Sequence, residues 1–249
     1  MVDAIILAGG RNGEVEKKFG VSNRALLVIE GKFMIEYVIE ALRDVSSIGK
    51  IIVVGSVEDF KSRIGSKVTG VVQPGKNPFE STLNGLKALK PEGKVLVVAS
   101  DLPLLRGEMI EDFFLRCEKR KADFYYPIIR KETYEEKIGR GKRTFVRVKE
   151  GYFTGGNLFF LDPRVVEEKQ EWIAQMVENR KKPLAMAQVL GLKIILKYLL
   201  KRLCIEDVEK RVEKVLGMRG LAVITPYPEI GFDVDKVEHV NIAKDLLSK

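Results

Sequence analysis

The sequence predicts an α/β fold with a mostly parallel central sheet flanked by helices. Two observations carry this prediction. Between residues 1 and 101, continuous Val/Ile runs alternate with segments of helical period, the pattern of parallel strands covered on both faces. The chain has 249 residues, 45% apolar and 31% charged, enough to bury a full core, which excludes a disordered chain or a disulfide-stapled miniature domain.

Taken in order, "AIILA" is the first strand, and Lys32 to Val45 is a helix with Met34, Val38, Ala41, Leu42 and Val45 on one face. "KIIVVGS" reads as a buried strand, "VEDFKSRIG" as a short helix, "VTGVVQ" as a strand and Phe79 to Leu89 as a helix. "KVLVVASD" closes this series, and ligands are expected at the C-terminal ends of its strands. After Asp101 comes a helix from Gly107 to about Lys121. Three strand-like pieces follow, "ADFYYPII", "RTFVRV" and "TGGNLFFLD", which read as a mixed-sheet extension suited to a second substrate. Residues 163–217 read as a helical insertion with breaks at Pro183 and near Cys204. A strand in "LAVITPY" and a helix from Lys236 to Leu247 end the chain, which is expected to form one domain over 1–249.

No run is apolar enough to cross a bilayer and no signal-peptide pattern is present, so a soluble cytoplasmic protein is expected. Cys117 and Cys204 have no C-x-x-C spacing and read as core filler. The net charge of +8 is concentrated: residues 130–149 hold eight basic side chains against three acidic ones. A basic flap beside a phosphate site accounts for this, and no nucleic-acid partner is expected.

The chemistry begins at "LAGGRNG", where the first strand breaks into glycines. Every Gly-Lys pair is followed by Phe, Ile, Asn, Val or Arg, which excludes a P-loop, and no glycine triplet has the G-x-G-x-x-G spacing of a dinucleotide fingerprint. What remains is either a tight turn or a turn whose N–H groups converge on a phosphate, through Leu7, Ala8, Gly9, Gly10 and Gly13.

The loop "LAGG", followed by "NRALLVIEGKFMIEYVIEAL", resembles the start of nucleotidyltransferases with a glycosyltransferase-A-like fold. This group contains the molybdenum-cofactor guanylyltransferases and the sugar-phosphate nucleotidyltransferases, with the Rossmann-like fold of nucleotide-diphospho-sugar transferases. "SDLPLL", "KRTFVRVKEGYFTGGNLFFLDP", "RKKPLA" and "YPEIGFDVDK" extend the similarity over nearly the whole chain. The resemblance implies that the glycine loop wraps a nucleoside triphosphate. It also implies that Arg24, where the family usually has lysine, contacts the phosphates, with Arg11 as a second charge on the departing pyrophosphate.

Asp101 emerges at the C-terminal edge of a buried strand, where a carboxylate can hold the divalent cation that nucleotidyl transfer needs. Its alternative role is a helix cap, for which the intervening Pro103 and leucines make it a poor choice. Asp233 and Asp235 share one face if extended. By resemblance Asp235 falls at the second Mg²⁺ ligand, and it is also a candidate N-cap of the last helix. His239, the single histidine, reads as a helix-surface residue.

For the acceptor, Asn157 is the first candidate, in "TGGN" with Gly155 and Gly156; the same glycines can mark a β-bulge. Arg143 is a candidate for a bidentate phosphate contact, while Arg140 and Lys142 read as a solvated flap. By resemblance Ser81 and Asn84 start the helix that contacts base or ribose; both are also candidate local caps. The apolar stretch Gln188–Leu203 carries Lys193, Lys197 and Lys201 as one basic stripe. It reads as a packed helix with one wet face, the sharper readings being a homodimer interface or a membrane-surface helix.

The expected activity is Mg²⁺-dependent transfer of a nucleotidyl group from an NTP to a phosphorylated or hydroxylated small molecule. The competing readings are a nucleotide-binding regulatory module without chemistry and a glycosyltransferase using a nucleotide sugar.

Overall fold

The computed structural model describes residues 1–10, 13–139, 143–170 and 191–248. Arg11, Asn12, Arg140, Lys142 and the break at Pro183 lie outside the described residues, as does the first part of the Gln188–Leu203 stretch.

A nine-stranded sheet organises the chain. Its first half is parallel: β5 (Gly70–Val72), β4 (Ile48–Gly55), β1 (Val2–Ala8) and β6 (Val95–Ala99) run side by side in one direction. Alternate residues of these strands enter two different cores. Ala4, Ile6, Val53, Leu96 and Val98 pack with α2 (Met34–Arg43), α3 (Val57–Ile64) and α5 (Gly107–Glu118). Ile5, Val54, Val95 and Val97 pack with α4 (Pro78–Leu89) and α7 (Pro163–Glu168) on the other face. This two-sided burial is why these strands are continuous Val/Ile runs rather than alternating ones.

The second half is mixed, as expected. β10 (Leu158–Leu161) lies antiparallel between β6 and β7 (Phe124–Arg130). β9 (Gly151–Gly155) and β8 (Val146–Val148) extend the sheet beyond β7 as antiparallel strands, and β11 (Gly220–Ile224) runs parallel to β7. The order across the sheet is β5-β4-β1-β6-β10-β7-β9-β8, with β11 paired to β7. A third core gathers α1 (Glu14–Phe19), α6 (Lys131–Lys137) and α10 (Val237–Leu247) through Val15, Tyr134, Phe232, Val234 and Val240. It fixes the last loop against the end of β6.

Two readings need correction in detail, and one helix was not expected. The Lys32–Val45 helix begins only at Met34, because Lys32–Phe33 (β3) pairs with Val28–Ile29 (β2). "TGGN" does not open one strand: Thr154 and Gly155 end β9, and β10 starts at Leu158. Helix α6 has a short, strongly charged sequence whose single buried side chain, Tyr134, gives no helical stripe. The described part of 163–217 is helical, with α8 (Leu192–Leu199) and α9 (Ile205–Leu216) separated near Cys204.

Candidate active site

The ends of β1 and β6 leave the sheet side by side, because parallel neighbours end on the same side of the sheet. Ser100 donates its N–H to Leu7 O at 3.2 Å, so the glycine loop and the Asp101 loop leave the sheet together. Asn23 then pins the glycine loop. Its side-chain amide donates to Ala8 O at 2.7 Å and Gly10 O at 2.9 Å, while its Oδ1 accepts from Ala25 N at 2.9 Å. The buried Asn23 thereby caps the short turn Arg24–Leu26, whose first residue reaches Asp101.

Arg24 Nε meets Asp101 Oδ2 at 2.8 Å. A Cβ placed on Gly10 would lie 3.6 Å from Arg24 Nη2, so the guanidinium spans the gap between the loop and the carboxylate. Asp101 is 3% exposed, and burial pushes its carboxyl up to about 6, with Arg24 opposing and Asp233 and Asp235 adding to the rise. It does not cap α5, whose N-cap is Arg106.

The second wall is the loop after the short turn Pro228–Gly231. Val234 donates its N–H to Asp101 O at 3.0 Å, which brings Asp233 and Asp235 beside β6. Asp233 Oδ1 accepts from Asn157 Nδ2 at 3.1 Å and from Arg143 Nη1 at 3.3 Å. Asp235 is not the N-cap of α10; that position is Lys236, and Asp235 Oδ1 faces His239 Nδ1 at 3.1 Å. His239 departs from the helix-surface reading. With its proton on Nδ1 it donates to Asp233 O at 2.8 Å, and its ring lies against Phe232 with centroids 5.5 Å apart. The contact with His239 holds Asp235 below its ordinary range and raises the imidazole in turn.

Arg143 is an internal brace. Nε donates to Thr154 Oγ1 and Nη2 to Gly155 O, both at 2.8 Å, and the guanidinium lies 5.2 Å from the Tyr134 ring centroid. The two glycines have steric reasons of their own. A Cβ on Gly155 would fall 1.7 Å from the Tyr126 hydroxyl, and one on Gly156 would fall 2.8 Å from Pro127 Cγ and 2.9 Å from Ile230 Cγ2. Asn157 joins both walls: besides Asp233 its side-chain amide donates to Gly231 O at 3.1 Å, and its backbone carbonyl accepts from Ala99 N at 3.0 Å.

On the opposite rim, Ser81 and Asn84 are not helix caps, since Asn77 caps α4 by accepting from Glu80 N. Ser81 Oγ accepts from Gly75 N at 3.1 Å and Asn84 Nδ2 donates to Gln73 O at 3.2 Å, fastening the 73–75 loop to α4. A Cβ on Gly9 would sit 3.0 Å from Pro74 Cβ and 3.6 Å from Ser81 Oγ, so this loop faces the glycine loop across a narrow slot. Gly13 is the N-cap of α1. Among the described residues, no three His, Cys, Asp or Glu side chains gather to hold a metal by themselves.

The structure therefore brings Arg24, Asp101, Asp233 and Asp235 together beside Gly9 and Gly10. Sequence reasoning missed Asn23 and misread His239. A polar residue before a short helical turn, as in "SNRALL", is the cap signal that marks Asn23.

One solved structure shares this fold, and curated relatives share part of the sequence. A solved structure described as a hypothetical transferase from Thermus thermophilus superposes with a TM-score of 0.84 and 35% identity, covering 96% of this chain and 99% of that one. A 2-C-methyl-D-erythritol 4-phosphate cytidylyltransferase of Thermotoga neapolitana is 32% identical over 127 residues, 48% of this chain and 55% of its own length. A probable molybdenum cofactor guanylyltransferase of Clostridium perfringens is 32% identical over 107 residues, 43% of this chain and 50% of its own. The chain thus spans about half the length of these two relatives. The family model described as the MobA-like NTP transferase domain matches residues 4–210, and the chain belongs to that family.

Proposed function

We propose that the chain transfers a nucleotidyl group from an NTP to a phosphorylated or hydroxylated small-molecule acceptor, in the cytoplasm and as one domain over 1–249. The acceptor oxygen attacks the α-phosphorus, a new P–O bond forms, the bond to the β-phosphate oxygen breaks, and pyrophosphate leaves. The single observation that carries the reading is the buried Asp101 and its partner Arg24, set against the Gly9–Gly10 turn at the end of β1.

Each residue then has work that needs no protein nucleophile. The side-chain-free edge at Gly9 and Gly10 lets phosphate oxygens approach backbone N–H groups. Arg24 offers a planar cation to the triphosphate. Asn23 keeps that cation and the loop at a fixed separation. Asn157 and Arg143 hold Asp233 from the acceptor side.

The donor set fits Mg²⁺. Asp101 and Asp235 offer hard carboxylate oxygens, burial and the neighbouring carboxylates disfavour the Asp101 charge despite Arg24, and Mg²⁺ held by protein uses one or two carboxylates with substrate oxygens. When bound, the ion would supply neutralisation of the triphosphate.

The relatives' names divide between guanylyl and cytidylyl transfer. The test is accordingly pyrophosphate release with each of ATP, GTP, CTP and UTP, paired with a panel of sugar and polyol phosphates. Release that needs one NTP and one acceptor together supports the proposal. Tight nucleotide binding without release from any pair would favour the regulatory-module reading.

A further inference from the structure

Helix α8 turns its apolar face to water. The sequence reads this stretch as a packed helix with one wet face, yet Leu192, Leu196, Leu199 and Leu200 are 50% to 69% exposed. Their i, i+4, i+7, i+8 spacing puts all four on one side of the helix. Single exposed leucines are ordinary, but four on one face form an apolar patch of the kind that marks an interaction surface.

The charge beside this face decides what covers it. Lys193, Lys197 and Lys201 form the adjoining stripe. Lys197 reaches inward to Asp207 and ties α8 to α9, whereas Lys193, Lys201 and Arg202 are exposed and have no acidic partner among the described residues. Lys149 joins them: its N–H donates to Leu203 O at 2.8 Å, and its side chain is likewise exposed without an acidic partner among the described residues. The acidic side chains nearby are already engaged, Asp207 with Lys197, Glu206 with Lys210 at 2.6 Å and Glu150 with the Ile205 N–H at 3.1 Å. The leucine face is therefore bordered by uncompensated positive charge.

We propose that α8 lies on an anionic lipid bilayer, its leucines entering the headgroup boundary while Lys193, Lys201, Arg202 and Lys149 meet lipid phosphates. The helix extends about 12 Å, far short of a hydrocarbon core of about 30 Å, so the contact runs along the surface. Such a surface supplies what both parts of the patch lack. The leucines leave water, and the cations find negative charge, their long stems lying along the apolar boundary with the heads at phosphate level. A second copy of the chain would also cover the leucines, but an isologous contact brings the same cations to the same rim and adds charge of like sign.

Co-sedimentation of the whole protein with vesicles tests the proposal, using phosphatidylcholine alone and phosphatidylcholine with about 30% phosphatidylglycerol. Binding to the anionic vesicles is expected to be about tenfold or more tighter than to the neutral ones, and to weaken as salt rises from about 0.1 M to about 1 M. The double variant Leu196→Gln, Leu199→Gln should weaken it about tenfold, and the triple variant Lys193→Gln, Lys201→Gln, Arg202→Gln should do the same. All five positions are exposed, so both variants should unfold at the wild-type Tm, which separates a lost contact from a lost fold. Equal binding to both kinds of vesicle, no binding to either, or an anionic preference that survives the leucine changes undiminished would overturn the proposal. So would a dimer, seen by sedimentation velocity without vesicles, that the leucine changes dissolve, because a second copy would then be the occupant of this face.

Discussion

The guanidinium of Arg24 sits on the carboxylate of Asp101, Nε to Oδ2 at 2.8 Å, at the point where the glycine loop and the end of β6 meet. The pair is unequal: Asp101 is buried, whereas the Arg24 side chain is 29% exposed. Arg24 therefore has solvent, or a phosphate, as an alternative partner. Asp101 has only Arg24 as an ion-pair partner among the described residues.

A divalent cation held by Asp101, as proposed, would compete with Arg24 for Oδ2. Mn²⁺, used as a paramagnetic substitute for Mg²⁺, should bind the nucleotide-free protein weakly. Arg24→Met should bind it about tenfold more tightly, because the internal competitor is gone. Asp101→Asn should abolish that gain in the double variant. Water proton relaxation reads all three. Equal Mn²⁺ affinity in wild type and Arg24→Met would show that the ion pair does not guard the site.

Asp101 also ties stability to pH, and the sign follows from the direction in which burial moves its carboxyl. Its folded value, about 6, is above the ordinary carboxyl range, so the folded state holds the proton more tightly than the unfolded one. The resulting stability is present below about pH 4 and lost as pH rises to about 6. Asp101→Asn keeps no such charge. Relative to wild type it should gain up to about 3 kcal/mol between pH 4 and pH 7.5, since each pH unit separating the folded and unfolded values contributes about 1.4 kcal/mol. Urea unfolding in EDTA measures this. A difference independent of pH would contradict the assigned burial cost.

Asn23→Ala should separate loop order from chemistry. It leaves the carbonyls of Ala8 and Gly10 without their donor and removes the cap of the Arg24 turn, at about 1–3 kcal/mol. Denaturant midpoints should fall accordingly, and KM for the NTP should rise more than kcat falls. Unchanged KM would mean that the loop is held by other contacts.

Arg143→Lys should behave almost as badly as Arg143→Ala. The guanidinium serves Thr154, Gly155 and Asp233 at once, a fork that one ammonium cannot reproduce. Both variants should lose about 1–3 kcal/mol of stability, read as a change in Tm. Full rescue by lysine would mean that only charge matters at this position.

The fold was legible because two-sided burial writes itself as unbroken Val/Ile runs, and β1, β4 and β6 have no other explanation. The boundaries were less so. A two-residue hairpin displaced the start of α2, and the two glycines that end β9 obey Tyr126, Pro127 and Ile230, contacts that no local pattern records. Asp101 could be placed because it lies two residues beyond the end of β6, where the loop leaves the sheet beside the glycine turn. The partners of that residue could not. Asn23, Arg143 and His239 act through bonds spanning from 2 to 90 positions, and their sequence neighbourhoods read equally well as cap, flap and surface. Arg143 in particular has the residue type of a phosphate clamp but spends three of its N–H groups inside the protein.

The central claim is that Asp101 is the carboxylate on which nucleotidyl transfer depends. The most direct measurement is continuous pyrophosphate release by wild type and Asp101→Asn, at pH 7.5 with saturating Mg²⁺ and the NTP and acceptor selected from the panel. Turnover is expected in the wild type, with a loss of about 10³-fold or more in a variant that remains folded and at least as stable. Wild-type turnover by folded Asp101→Asn would contradict it.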